Sequence, residues 1–289
     1  MTPTLMKFAK PEYTPRATAT CLAPMWRILV LTLVLLVPLL PACSRNNTDL
    51  LEAAWLGDVT KVNSLLSHGA DANARDKTGL TPLLAAAIRP SGKGNTEIAR
   101  ALIARHADVN AATPSGQTAL LEVAESGNVE FVRLLLDAGA NPSVKMTGGH
   151  TPLMGALKNG HAEIARMLLD KGADPNSTDD FGKTPLIVAM LAADSTAFDM
   201  LLAGGADVNR TDAQGATPLM WAALLGDTLA VHIFLERGAD VTIADPTGAT
   251  AYDWAMRKGH ADIAAEIMAM MPPEPEKTEE PSPTQKRAK

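Results

Sequence analysis

Residues 151–176 read TPLMGALKNGHAEIARMLLDKGADPN, and residues 184–209 read TPLIVAMLAADSTAFDMLLAGGADVN. The second stretch is the first moved along by 33 positions. The beat continues outward in both directions. Thr-Pro recurs at Thr81-Pro82, Thr151-Pro152, Thr184-Pro185 and Thr217-Pro218, with Thr118-Ala119 and Thr250-Ala251 in the same frame. Successive threonines are spaced 37, 33, 33, 33 and 33 apart, and Thr48 continues the count backward. A second marker keeps the same phase: Gly69-Ala70-Asp71, Gly139-Ala140-Asn141, Gly172-Ala173-Asp174, Gly205-Ala206-Asp207 and Gly238-Ala239-Asp240, with His106-Ala107-Asp108 in the remaining slot. Asparagine follows at Asn73, Asn110, Asn176 and Asn209.

Each unit reads as two helices. Threonine caps the first, and proline suits its opening turn because its missing N–H has no helical partner there. Small residues such as Ala86-Ala87 and Ala222-Ala223 let the helices approach closely. The second helix has apolar residues at helical spacing, as in Val132, Leu135 and Leu136 or Ile164, Met167 and Leu168. Gly139 and Gly172 end it by accepting a left-handed conformation. One unit cannot bury its own faces, so stability is a sum over neighbours.

The paired markers resemble the ankyrin repeat, and the resemblance covers about seven units over residues 48–271. It implies an all-α solenoid of helix-turn-helix units joined by β-turn loops. The family's histidine after Thr-Pro-Leu is absent. Leu51, Leu84, Leu121, Met154, Ile187, Met220 and Asp253 hold its places, which points to tighter burial at the expense of polar ties. Four extra residues within 89–94 are expected to bulge between the helices of the second unit. Asp253 and Arg257-Lys258 resemble a solvent-facing terminal cap.

The N-terminus reads as a targeting segment over residues 1–42. Residues 28–42, ILVLTLVLLVPLLPA, form a short apolar run behind Arg27. A membrane span needs about 20 residues, whereas a signal core needs about 7–15. The run ends in Leu40-Pro41-Ala42-Cys43, which resembles the bacterial lipobox, although Pro41 stands where a small or hydroxyl residue is commoner. The resemblance implies lipid on Cys43, and Ser44 after it favours the outer membrane. The expected address is the bacterial cell envelope, lipid-anchored, on the periplasmic face of the outer membrane. A cleaved secretory signal or a short anchor is the alternative. Residues 1–24 lack the pattern of a signal, so translation is expected to begin at Met25. Residues 43–47 are expected to be a short tether. Residues 272–289, PPEPEKTEEPSPTQKRAK, are rich in proline and charge and are expected to be disordered.

Composition narrows the function. The chain of 289 residues has a net charge of −6 and only 4% aromatics. Residues 43–271 carry 18 basic and 27 acidic side chains, so nucleic acid and anionic lipid are disfavoured and a basic partner is favoured. Two cysteines make no disulfide scaffold, and no catalytic or metal-site motif is present. His161 and His260 follow the period and read as helix-start residues. No enzyme, cofactor, metal or small-molecule substrate is expected.

What remains is a binding surface. In the family, partners dock on the turn tips and first helices, the concave side. The matching positions are Trp55, Leu56, Ile88, Leu191, Trp221, Leu224 and Leu225 on first helices, and Lys77, Leu80, His150, Phe181, Lys183 and Gln214 on turns. Large apolar side chains there mark a protein interface unless they pack on the adjacent unit. The reading is an envelope-tethered, non-enzymatic scaffold gripping a protein partner, with membrane contact through Cys43. Narrower forms are an inhibitor or immunity protein and a support factor for an envelope stress enzyme. A lipoprotein linking the membrane to the cell wall is the competing reading, in which the tail binds peptidoglycan.

Overall fold

The threonines of the period from Thr81 to Thr250 each start a helix in the computed structural model, which describes residues 40–89, 93–192 and 195–272, whereas Thr48 lies within the first helix. The first helices of the units are α1 (Leu40–Leu56), α3 (Pro82–Ile88), α5 (Ala119–Ser126), α7 (Pro152–Lys158), α9 (Pro185–Leu191), α11 (Pro218–Leu225) and α13 (Ala251–Lys258). Their partners are α2 (Val59–Ser67), α4 (Lys93–Ile103), α6 (Val129–Asp137), α8 (Ala162–Asp170), α10 (Thr196–Ala203), α12 (Thr228–Glu236) and α14 (Ala261–Ala269). Among the described residues, extended pairing is limited to two isolated bridges, Ala112 with Thr118 and Ala244 with Thr250. The all-α repeat architecture read from the period is therefore the architecture observed.

The chain divides into two units, Met1–Pro41 and Ala42–Lys289, and the second carries the array. Residues 43–47, marked in sequence as a tether, lie inside α1. Asn47 also has a structural task, accepting the Asp71 N–H at 2.9 Å. Of the remaining terminal expectations, residues 1–39 and 273–289 lie outside the described residues, as does the Cys43 side chain. Within the second-unit insertion, residues 90–92 lie outside them too, with α3 ending before and α4 starting after. No helix among the described residues is long and apolar enough to cross a membrane.

Capping follows the residue chemistry. The hydroxyls of Thr81, Thr118, Thr151, Thr184 and Thr217 each accept the N–H three residues on, at 3.2–3.4 Å. In the last unit Asp253 closes the box instead, accepting both the N–H and the hydroxyl of Thr250 at 2.8 Å. Gly139 and Gly172 adopt φ of +88° and +90° just past their helices. The apolar replacements for the family histidine are buried at Leu84, Leu121, Met154, Ile187 and Met220. Each such side chain contributes roughly 1.5–3 kcal/mol relative to exposure.

Consecutive units are joined by three devices. The first is buried contact. First helices pack on first helices, as α5 on α7 and α7 on α9, and the Phe198 and Phe234 rings meet at 5.2 Å between α10 and α12. The second is a ladder of turn asparagines. Asn73, Asn110, Asn176 and Asn209 each accept an N–H of the next unit at 2.7–2.8 Å and donate to a carbonyl there at 2.8–3.4 Å. Ser143 stands in the remaining rung and spans it with two bonds of 3.3 Å. The third is a line of backbone bonds between turn tips. Thr147 donates to Ser115 O, Asp180 to Gly148 O, and Ala213 to Phe181 O, at 2.8–3.0 Å. One period before and after these donors stand Pro114 and Pro246, which have no N–H to give.

The Gly-His pairs are interface features. His161 and His260 precede α8 and α14, and the His161 Nε2 lies 3.2 Å from Glu125 O in the preceding unit. The His161 ring fills the space over Gly127, whose φ is +83°, so an added Cβ would strike it. The two histidines belong to separate layers, as their spacing implied.

Candidate functional site

Two positions on each first helix, three residues apart and therefore on one side, line the face toward the turns. Through the array the mid-helix position holds Glu52, Ala85, Glu122, Gly155, Val188, Trp221 and Trp254. The helix-end position holds Trp55, Ile88, Glu125, Lys158, Leu191, Leu224 and Arg257. The turns then supply one residue ahead of each capping threonine: Leu80, Gln117, His150, Lys183, Ala216 and Ala249. Some of these positions, such as Ala85, Gly155, Ala216 and Ala249, are buried between units, whereas Trp55, Glu125, Lys158 and Leu191 are exposed.

The residues expected to bind fall into three groups along this face. At the start, Trp55 is 47% exposed, Leu56 is also exposed, and Ile88 is half-buried. The Trp55 carbonyl accepts from Arg89 Nη1 at 3.3 Å. Lys77 is exposed at the first turn, and Leu80 is half-buried against the core.

In the middle, His150, Lys183 and Leu191 come together around a hollow of about 310 Å³, with Lys158, Asp179, Val188 and Ala192. Leu191 is 42% exposed, and Phe181, two residues from Lys183 in the same turn, is 69% exposed. Lys158 Nζ lies 3.6 Å from Glu125, one unit back at the same helix position. The Asp179 Oδ1 accepts the Phe181 and Lys183 N–H groups at 2.9 and 2.8 Å. Burial pushes the His150 imidazole below its ordinary pKa. Lys158 pushes the same way, while Glu125 and Asp179 push back.

The last group is different. Trp221 is half-buried, and its indole N–H donates to Asp212 Oδ2 at 2.9 Å. The bond repeats one unit on, where Trp254 donates to Asp245 at 2.9 Å, and the two rings meet nearly edge to face at 6.0 Å. The Asp245 carboxyl is held well below the usual carboxylate range by the Thr247 hydroxyl, then by Trp254 and the N–H groups of its own turn, against the opposing push of burial. Leu224 is half-buried, Leu225 is 51% exposed, and Gln214 is exposed at the turn.

Several residues of this surface escaped the sequence reading. Lys158, Asp179 and Val188 complete the hollow, and Asp212, Asp245 and Trp254 complete the aromatic end. The signal was present, since Asp179, Asp212 and Asp245 keep the 33-residue step, as do Trp221 and Trp254. Leu229, Met256, Met268 and Met270 are each over half exposed and were also missed. Met256 corresponds to the buried Ala223, so the last unit is closed less completely than a polar cap would close it. Among the described residues, no group of three or more His, Cys, Asp or Glu side chains is placed to hold a metal ion.

Residues 50–146, 143–212 and 186–277 match the profile described as "Ankyrin repeats (3 copies)", so the chain belongs to the ankyrin-repeat family. The crystal structure of the human ASB11 ankyrin repeat domain is similar to it, with a TM-score of 0.65 and 26% identity, covering 78% of this chain and 99% of that one. Among curated proteins, the potassium channel AKT3 of Oryza sativa subsp. japonica is 39% identical over 83 residues, 28% of this chain. The mitochondrial disaggregase of Bos taurus is 42% identical over 67 residues, 23% of this chain. The matched region spans only 9% of each of these two relatives. Ankyrin repeats generally mediate protein–protein interaction, and the fold is typically a non-enzymatic scaffold.

Proposed function

We propose that this chain is a non-enzymatic scaffold that holds a protein partner against the face made by its turns and first helices, and that lipid on Cys43 tethers it to the bacterial envelope. One observation carries the first half of the reading. Trp55, Leu56, Phe181, Leu191 and Leu225 present exposed apolar surface on the turns and first helices, outside a core in which Leu84, Leu121, Met154, Ile187 and Met220 are already buried. Exposed apolar groups of this size on a regular stack are the usual mark of an interface. A pre-formed face also limits the ordering entropy lost on docking. The second half rests on the apolar run and Leu40-Pro41-Ala42-Cys43.

An affinity pull-down from envelope extract tests the face. The combined variant Trp55→Ala, Phe181→Ala and Leu225→Asp should lose the partner recovered by the unaltered chain while keeping its helical circular dichroism. Unchanged recovery would remove the assignment. The tether is tested by metabolic palmitate labelling, which Cys43→Ser should abolish together with membrane fractionation.

A further inference from the structure

We infer that the hollow between the fourth and fifth units docks a short peptide segment in which a large apolar side chain stands next to a single carboxylate. The inference rests on the reading of the turn-and-helix face as the docking face, and it names the chemistry that one part of that face selects.

The hollow exists because of what the repeat leaves out. Units six and seven fill the mid-helix position with Trp221 and Trp254, whereas unit five places the smaller Val188 there, on the wall of the hollow. The space of about 310 Å³ lies at the small end of the usual range of roughly 300–1,000 Å³ for ligand pockets. Its apolar wall is Val188, Leu191 and Ala192, and Phe181 adds exposed ring nearby. That wall suits one aliphatic or aromatic side chain.

Charge selects the neighbour of that side chain. Among the described residues, Lys183 has no carboxylate within ion-pair distance, although it lines the hollow beside His150 and Lys158. Asp179 is the opposing carboxylate, but its Oδ1 is committed to two backbone N–H groups of its own turn. Lys158 is shared with Glu125 at 3.6 Å in an exposed pair, which is worth little in water and is readily exchanged for an incoming anion. The local preference therefore runs opposite to that of the whole body, whose acidic excess favours a basic partner. The same excess penalises a run of acids, so one carboxylate fits better than several.

Fluorescence anisotropy with the labelled peptide Gly-Ser-Leu-Glu-Phe-Ser-Gly tests this directly. The comparison peptides replace Glu by Lys, or both Leu and Phe by Ala. The full chain should bind the Glu peptide about tenfold more tightly than the Lys peptide, and the Ala peptide should bind no better than the Lys peptide. Lys183→Glu should reverse the charge preference, and Val188→Trp should abolish binding by filling the hollow. Lys61→Glu on α2 makes the same charge change and should leave affinity unchanged. Leu191→Asp, at an exposed position, serves if Val188→Trp perturbs folding as judged by circular dichroism. Equal binding of the Glu and Lys peptides, no binding of either, or indifference to Lys183→Glu overturns the inference. If the peptides fail while the triple variant still loses its partner, only the hollow is misassigned. Peptide binding together with undiminished partner recovery would count against the broader face reading instead.

Discussion

Units four and five and units six and seven are built on the same frame, yet they present opposite surfaces. In the first pair Val188 takes the mid-helix position of unit five, and a hollow opens beside Lys183, which has no carboxylate within ion-pair distance among the described residues. In the second pair tryptophans fill that position, and two aspartates hold their indoles. The difference teaches how this fold divides its labour. Threonine caps, turn asparagines and buried aliphatics repeat, because every unit must join its neighbours. The face toward the turns diverges more, with its exposed positions differing in charge and size from unit to unit. A tryptophan there is partly a structural residue, whereas Val188 leaves room for something else.

The largest expected contrast concerns the aspartates. Asp212 accepts two turn N–H groups and an indole, whereas Asp179 accepts only the turn N–H groups. Asp212→Ala should cost about 2–3 kcal/mol, since it orphans buried donors, and Asp179→Ala about 1 kcal/mol. The difference in urea midpoints at constant m-value reads this out. Equal losses would mean that the indole bond does not separate the two regions.

The two regions should also answer differently to acid. The Asp245 carboxyl is depressed in the folded chain, so the unfolded chain takes up its proton first. Stability held above the ordinary carboxylate pKa of 3.8 is lost as pH falls through and below it. Asp245→Asn should flatten the dependence of melting temperature on pH between about 5 and 3. His150 is depressed from 6.5, so the folded chain resists its protonation and loses stability as pH drops below that value. An anion bound beside His150 favours the protonated ring, so affinity for the Glu peptide should rise about two- to fivefold between pH 7.5 and 5.5. His150→Gln should remove that rise.

A smaller effect is expected in the asparagine ladder. Ser143 is the short rung of the asparagine ladder, with two bonds of 3.3 Å. Ser143→Asn should stabilise the chain by about 0.5–1 kcal/mol in thermal melts, and a loss would show that the seam has no room for the amide. Least of all should come from the outer helices. Arg133→Ala breaks an exposed pair with Glu163 at 3.4 Å and should change stability by less than about 0.5 kcal/mol.

Much of the frame was legible because its parts recur in phase. Thr-Pro, Gly-Ala-Asp and the following asparagine each answer a backbone need that returns every 33 residues, so the helices, caps and C-terminal glycines of the array followed directly. The surface was harder to read for the same reason. Trp221 stood out as a large aromatic, but its bond to Asp212 depends on a turn folding back over the helix nine residues later. His150, Lys183 and Leu191 were each marked on their own, yet a hollow is made by absence, and a valine such as Val188 draws no attention to itself. The helical course of residues 43–47 was missed because the lipobox resemblance suggested a tether there, whereas Asn47 in fact starts the ladder.

The line of bonds between turn tips ends at prolines on both sides, Pro114 and Pro246. Four neighbouring tips are thereby riveted into one plank, while the outermost tips hang on side chains and packing alone. Pulled from its ends, such a plank would shed its flaps before it cracked, and amide exchange should find the fastest-opening tips outside the two prolines. A cargo clasped at the centre would then feel a stiff anvil, and one clasped at the rims a pair of yielding leaves.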